Sequence, residues 1–315
     1  MFPTAASSPP APPVGVAPTG AVRQVLRQVL RQVRVAHWAK NATVLLPAFF
    51  AGTLFRLAPA QYGQLEAAFF AFCFLSSAIY VLNDVLDVAH DRLHQRKRHR
   101  PYASGYFSRP QALGLAAGCL VAGLACTAQL DGRAALVPLA YLALNLLYCV
   151  WLKQLPIVDL TCISLGFLLR LGAGGLAAAA PLSHWIVVVV FLLMFSVALA
   201  KRRDDLVLSQ GQDLTLRAAQ GGYTKPFIDV AKGVSFAVTL VAYILYSVSP
   251  EVTARLGSPY VYVTALPVFL GIMRYLQLSI VREDTGSPLR LLFRDPFLLT
   301  MALVWLGLFY CLIYG

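Results

Sequence analysis

Apolar residues gather into nine stretches of 17 to 24 residues, separated by polar or charged connections. They run from 41 to 57, 66 to 82, 111 to 128, 134 to 152, 157 to 180, 184 to 200, 233 to 249, 259 to 281 and 296 to 314. An α-helix needs about 20 mainly apolar residues to cross the hydrocarbon core. It also satisfies its backbone groups within the segment, as lipid requires. The pattern predicts an all-α, polytopic membrane bundle of about nine transmembrane helices, occupying residues 38–315.

Before the first stretch the pattern changes twice. Residues 1–20 are rich in Pro, Ala and Ser and lack the basic start and apolar run of a signal peptide, which predicts a disordered tail. Over 21–37 the arginines Arg23, Arg27 and Arg31 recur every four residues while Val25, Leu26, Val29, Leu30 and Val33 fill another face. That is the pattern of an amphipathic helix lying in a membrane interface. A helix that docks on a partner protein would carry the same pattern.

Composition agrees with lipid as solvent: 58% of the 315 residues are hydrophobic, 13% are charged, and the mean hydropathy is +0.68. Nine spans put the termini on opposite sides, and the distribution of Lys and Arg selects the orientation. With the N-terminus cytosolic, 21 of the 26 basic residues fall in inside segments, three outside, and Arg170 and Arg274 within spans. The net charge of +12 is thus a topology signal. Nucleic acid is not an expected partner, because the basic residues form short loops and no continuous groove. The six cysteines fall inside expected spans without a CxxC pair and read as small packing residues. The five histidines have no metal-ligand spacing.

Only two connections are long, 83–110 and 201–232, and both lie on the inside face, where they can cover one cavity. The first begins NDVLDVAHD, with Asn83, Asp84, Asp87 and Asp91 directly after an apolar span. If the helix continues, the three aspartates share a face. Like charges at that spacing repel unless a cation sits among them. Mg²⁺ takes oxygen ligands and bridges carboxylates to substrate phosphates. Arg92, Arg96, Lys97, Arg98 and Arg100 follow, groups suited to phosphate oxygens. A solvated helix end, with acids balancing the next basic run, is the competing reading. The second loop opens with Lys201, Arg202, Arg203, Asp204 and Asp205, where basic residues are also expected on topology alone. Between the loops lie Tyr148, Lys153, Asp159 and the intramembrane Arg170, a functional candidate by its depth. Span five ends in a glycine run, RLGAGG, suited to close helix packing.

These residues resemble the UbiA-type intramembrane prenyltransferase superfamily and, within it, the decaprenyl-phosphate phosphoribosyltransferases. The resemblance is carried by WAKN at Trp38–Asn41, NDVLDVAHDR and KRHRP within Asn83–Pro101, LKQLPIVD at Leu152–Asp159, GFLLRLGAGG at Gly166–Gly175, AKR at Ala200–Arg202 and MRY at Met273–Tyr275. The sequence departs from the family at Arg34–Trp38, usually RPxQW, and after Lys201–Arg202, where Arg203, Asp204 and Asp205 replace a YAE-like run. The resemblance implies Mg²⁺ on Asp84, Asp87 and Asp91. It places Asn83, Lys40, Lys97, Arg100, Tyr148, Lys153, Arg170, Lys201 and Arg202 on the substrates, with Asp159 and Asp205 completing a catalytic polar site. The substrates implied are 5-phosphoribosyl 1-diphosphate and a polyprenyl phosphate drawn from membrane lipid, in a bacterial cytoplasmic membrane. A homo-oligomer rests on analogy alone.

Two other functions fit parts of the pattern. A prenyltransferase acting on an aromatic acceptor would use the same aspartates for an allylic diphosphate. A nonenzymatic lipid carrier would account for nine spans but leaves the aspartates and their cationic strip without a role.

Overall fold

Long apolar runs become long helices here, even where Pro138 lies inside one, and the polar ends of several of those helices are drawn toward one another. The computed structural model describes residues 18–93, 97–209, 222–282 and 288–314. The tail expected over 1–20 lies outside the described residues as far as residue 17, as do Arg96 and the middle of the second long loop.

The helices, in chain order, are α1 (Pro18–Gln32), α2 (Leu46–Phe50), α3 (Pro59–Leu86), α4 (Val88–Leu93), α5 (Arg109–Thr127), α6 (Gly132–Val150), α7 (Val158–Ala177), α8 (His184–Ser209), α9 (Lys225–Val248), α10 (Pro250–Leu256), α11 (Ala265–Val281), α12 (Pro288–Arg294) and α13 (Pro296–Tyr314). No strand occurs among the described residues. Seven helical segments there are long and apolar enough to cross a membrane: α3, α5, α6, α7, α8 up to Val207, α9, and Pro259–Val281, which joins a 3₁₀ turn to α11. The protein is a multi-pass membrane protein.

Among the described residues seven segments, against the nine expected, meet that length and apolarity. The last expected span, 296 to 314, is the apolar helix α13. The first, 41–57, is not one helix. A 3₁₀ segment, Val35–Leu45, passes into the five-residue α2, which ends in a turn with Gly52 at φ 71°. This segment lies inside the bundle, where its polar residues are satisfied by neighbours. Asn41, 1% exposed, accepts from Arg170 Nε at 2.6 Å, and Trp38 Nε1 donates to Ser77 Oγ at 3.0 Å.

The glycine run of α7 makes that insertion possible. A Cβ on Gly174 would lie 1.9 Å from the Val44 carbonyl oxygen, so only glycine admits the 3₁₀ backbone this close. α3 and α7 are the most buried spans, and Phe72, Leu75, Tyr141 and Ala173 form the core between them and α6. A second core, built on Leu171, Tyr243, Tyr246 and Phe309, joins α7 to α9 and α13.

α1 is amphipathic, with Val22, Val25, Leu26 and Leu30 exposed. It stops at residue 32, short of the expected 37, because Arg34 takes a left-handed conformation (φ 56°, ψ 46°) and turns the chain into the 3₁₀ segment. Arg274, the other basic residue expected within a span, donates to Asp295 Oδ2 at 2.7 Å, and Asp295 in turn accepts from the backbone of Leu298.

Candidate active site

The aspartates follow from how α3 ends. The helix stops at Leu86, and Asp87 caps it at φ −94°, ψ 8° before α4 resumes at Val88. The helix is interrupted for one residue, with Asp87 N still bonded to the Asn83 carbonyl and Asp91 N to the Asp87 carbonyl, and the three aspartates divide between partners: Asp84 and Asp91 share Arg100, and Asp87 takes Lys153. This corrects the continuous-helix expectation.

Asp84 and Asp91 converge on a single cation. Arg100 Nη1 lies 2.9 Å from Asp84 Oδ1 and also bonds Asp91 Oδ2. Arg34 pairs with the same Asp84 oxygen and stacks over the Tyr80 ring at 4.6 Å, while Gln32 Nε2 reaches Asp84 Oδ2 at 3.3 Å. Both carboxylates are nearly sealed from solvent, Asp84 at 2% and Asp91 at 1% exposure. Buried carboxylates of this kind persist only with cations and donors around them.

Asp87 has a separate partner. Lys153, on the turn after α6, sits 2.8 Å from Asp87 Oδ1 and 3.3 Å from Asn83 Oδ1, and Asn83 Nδ2 closes the triangle on Asp87 Oδ2 at 3.0 Å.

Asp159 forms a third centre, with no solvent exposure. It pairs with Arg202 on α8 and accepts from the Tyr223 hydroxyl at 2.7 Å. The same hydroxyl accepts the Ile157 amide at 2.5 Å, fixing a residue held at φ 69°. Burial, and then the bond to Asp159, raise the Tyr223 pKa, so the phenol keeps its proton. With every oxygen engaged, Asp159 acts here as the tie between two loops. Asp205 stands 3.7 Å from Arg202, and Tyr148 lies near enough to act on that guanidinium electrostatically.

The remaining candidates divide. Lys40 and Lys201 belong to a cationic group around His37, together with Arg34 and Arg100. Burial, followed by those charges, pushes His37 down to about 4, so its imidazole is neutral at pH 7. Burial, with Arg170 and Arg34 beside it, lowers Lys40 to about 8. Lys97 lies partly exposed in the 3₁₀ turn Lys97–His99. Arg170 is committed elsewhere: it donates to Asn41, to the Gly166 carbonyl at 2.8 Å and to the Tyr141 hydroxyl at 2.8 Å, among the rings of Tyr141, Phe167 and Phe72. It pins the 3₁₀ segment to α7.

Arg34, Gln32 and Tyr223 belong to the site but are not among the expected site residues. The sequence signals for Arg34 are that it follows Arg31 by three residues, breaking the four-residue repeat, and that it stands where the resembled family's RPxQW pattern begins. A cavity of about 1100 Å³ opens beside Arg34, lined also by Arg27, Arg31, His37 and Arg100.

Among the described residues no three of His, Cys, Asp and Glu stand close enough to hold a metal ion. Two do converge: the Arg100 nitrogen marks a point that carboxylate oxygens of Asp84 and Asp91 both approach. Mg²⁺ needs no more than one or two carboxylates when substrate phosphates and water supply its other ligands. The donor set fits Mg²⁺ on Asp84 and Asp91, with Asp87 held by Lys153.

A helical membrane protein whose polar ends draw carboxylates and cations into one buried cluster is built as an intramembrane enzyme for phosphorylated substrates. The chain belongs to the UbiA prenyltransferase family, whose pattern it matches over residues 44–301. It is 32% identical over 298 residues to the decaprenyl-phosphate phosphoribosyltransferase of Mycolicibacterium smegmatis, covering 91% of this chain and 93% of that one. It is 32% identical over 285 residues to the enzyme of the same name from Corynebacterium glutamicum, covering 88% and 84%. Its fold resembles that of a UbiA homolog from Archaeoglobus fulgidus bound to DMAPP and Mg²⁺, with a TM-score of 0.65 at 19% identity over 91% of this chain and 99% of that one.

Proposed function

We propose that the protein transfers the 5-phosphoribosyl group of 5-phosphoribosyl 1-diphosphate to a polyprenyl phosphate and releases diphosphate. The observation that carries this reading is the convergence of Asp84 and Asp91 on one cation position, with Arg34 on the same Asp84 oxygen, Lys153 on the neighbouring Asp87, and Lys40, Lys201, Arg34 and Arg100 all acting on His37. So many cationic groups suit two phosphorylated substrates better than one. Likeness over nine-tenths of the chain to enzymes named for this transfer supports it.

Asp84 and Asp91 would hold Mg²⁺, with Asn83 and Asp87 beside them; the ion, when bound, neutralises the departing diphosphate. Once Arg34 and Arg100 leave the carboxylates, their guanidinium groups are available to phosphate oxygens, which they match in geometry. Lys40, Lys97 and Lys201 add charge around the donor. Asp159 and Asp205 keep Arg202 in place. In the reaction the bond from ribosyl C1 to the diphosphate oxygen breaks, and its electron pair leaves with diphosphate. A phosphate oxygen of the lipid then forms the new bond to C1. That oxygen is already anionic, because the second pKa of a phosphate monoester is about 6, so the protein supplies no strong base. Position and charge account for the rate.

The site faces the cytosol of a bacterium and the N-terminus lies on the same side, a reading that rests on the distribution of basic residues. The test is diphosphate release by the purified protein. Release that requires donor, polyprenyl phosphate and Mg²⁺ together supports the proposal. Release from a prenyl diphosphate with an aromatic acceptor, and none from the phosphoribosyl donor, contradicts it.

A further inference from the structure

An apolar groove of about 630 Å³ runs between α1 and the outer face of α5. Leu30 and Val33 form one wall, Phe74 lies across from them, and Gly114, Leu115 and Gly118 belong to α5. A Cβ on Gly114 or Gly118 would meet nothing within 4 Å, so these glycines leave room in the groove and are not there to let backbones touch. The groove does not stand alone. Leu30 and Val35 line it and also line the cationic cavity, which holds Arg27, Arg31, Arg34 and Arg100. Val33 and Val35 face the groove, while Arg34 between them turns to Asp84. An apolar slot between α1 and the span α5 therefore opens onto a cluster of arginines.

We infer that this groove seats the isoprenoid tail of the acceptor lipid, with its phosphate held by Arg34 and Arg100 at the mouth. This rests on the function proposed above and assigns it an acceptor path. Only a molecule with an apolar chain and an anionic head complements both parts. A phosphate monoester, carrying about 1.5 to 2 negative charges at pH 7, matches several arginines better than the single charge of a membrane phosphodiester. A head bound at Arg34 also lies beside the Asp84 cluster, where the donor must sit for the lipid oxygen to reach C1. A permanently bound phospholipid would block that approach.

Filling the groove tests the inference. Gly118→Phe and Gly114→Leu place side chains in open space. Each should raise KM for a long-chain polyprenyl phosphate by about tenfold or more, because the tail loses buried apolar surface. The KM for 5-phosphoribosyl 1-diphosphate should stay within about twofold of wild type. Val121→Phe, on the exposed part of α5 outside the groove, should change neither. An active wild type whose acceptor KM is unmoved in both groove variants overturns the inference and leaves the proposed reaction standing.

Should the wild type transfer nothing, binding still decides. A polyprenyl phosphate bearing a photoreactive diazirine should crosslink to α5 around Leu115 and Cys119, and Gly118→Phe should abolish the product. Crosslinking elsewhere overturns the inference. So does equal labelling by a diazirine phosphatidylglycerol that polyprenyl phosphate does not displace.

Discussion

Asp84 and Asp159 are both buried aspartates bound to arginine, yet their surroundings assign them different work. Asp84 shares a cation with Asp91 beside a large cavity, whereas Asp159 spends both oxygens on Arg202 and Tyr223. Asp84→Asn should lower transfer by at least about 100-fold, the scale seen when a charge-stabilising group is removed. Donor binding measured with and without Mg²⁺ checks the cause, since the variant should lose the metal-dependent part. Asp159→Asn leaves Arg202 buried without its main counter-ion, a loss of about 3–5 kcal/mol. It should lower the thermal midpoint in detergent far more than Asp84→Asn does.

Lys40 gives a pH dependence. Its pKa is lowered to about 8 by burial and by Arg170 and Arg34, so the folded protein holds fewer protons on it than the unfolded chain between pH 8 and the ordinary value of 10.5. Its contribution to stability thus rises with pH across that window. Its charge, and with it the attraction for phosphate, is lost over the same range. The KM for donor should climb above pH 8, and Lys40→Arg should keep it flat; an unchanged profile in the variant would remove Lys40 from the donor site. The sequence made all of Asp84, Asp87, Asp91, Lys153, Arg100 and Arg202 visible, because acids and bases at the ends of apolar runs stand out. It hid Arg34, Gln32 and Tyr223, whose roles arise from contacts 50 to 64 residues away.

At the level of elements, apolar length located α5, α6, α7 and the Pro259–Val281 stretch to within about three residues, and found α3, α8 and α9 but stopped seven to nine residues short at one end of each, where polar residues extend the helix. It failed where a segment is buried by its neighbours instead of by lipid. The 41–57 stretch is apolar enough to be read as a span, yet Asn41 and Trp38 find partners inside the bundle, and the backbone follows them as a 3₁₀ segment. The break at Asp87 was equally hidden, since nothing in NDVLDVAHD forbids a continuous helix. Gly174 gives a test of the 3₁₀ segment. Gly174→Ala drives a methyl into the Val44 carbonyl and should destabilise by about 1–3 kcal/mol or more. Gly172→Ala, with nothing within 4 Å, should be neutral or stabilising by up to about 1 kcal/mol. Thermal unfolding of both, followed by circular dichroism, distinguishes them. Equal midpoints would mean that the 3₁₀ segment does not pack this tightly.

Across the whole molecule, the stretch from Lys153 to Asp159 between α6 and α7 is tied to both long connections. Asp87 at the α3 end takes Lys153 from the turn after α6, and Asp159 takes Arg202 from α8 and Tyr223 from the second connection. Asp84 and Asp91 take Arg34 and Arg100 from the connections that flank α3 and α4, so every acid of the cluster is held by a cation from another part of the chain. The groove under α1 connects that cluster to the lipid-facing surface, so a water-soluble donor and a membrane-borne acceptor can approach from separate directions.

The most direct test of the account follows the ribosyl group itself. Purified protein would be incubated with Mg²⁺, polyprenyl phosphate and 5-phosphoribosyl 1-diphosphate labelled in the ribose, and the label traced into the organic phase. The account predicts lipid-soluble label that disappears with a chelator and returns with added Mg²⁺. Label confined to the aqueous phase, from a protein that remains folded, would contradict it.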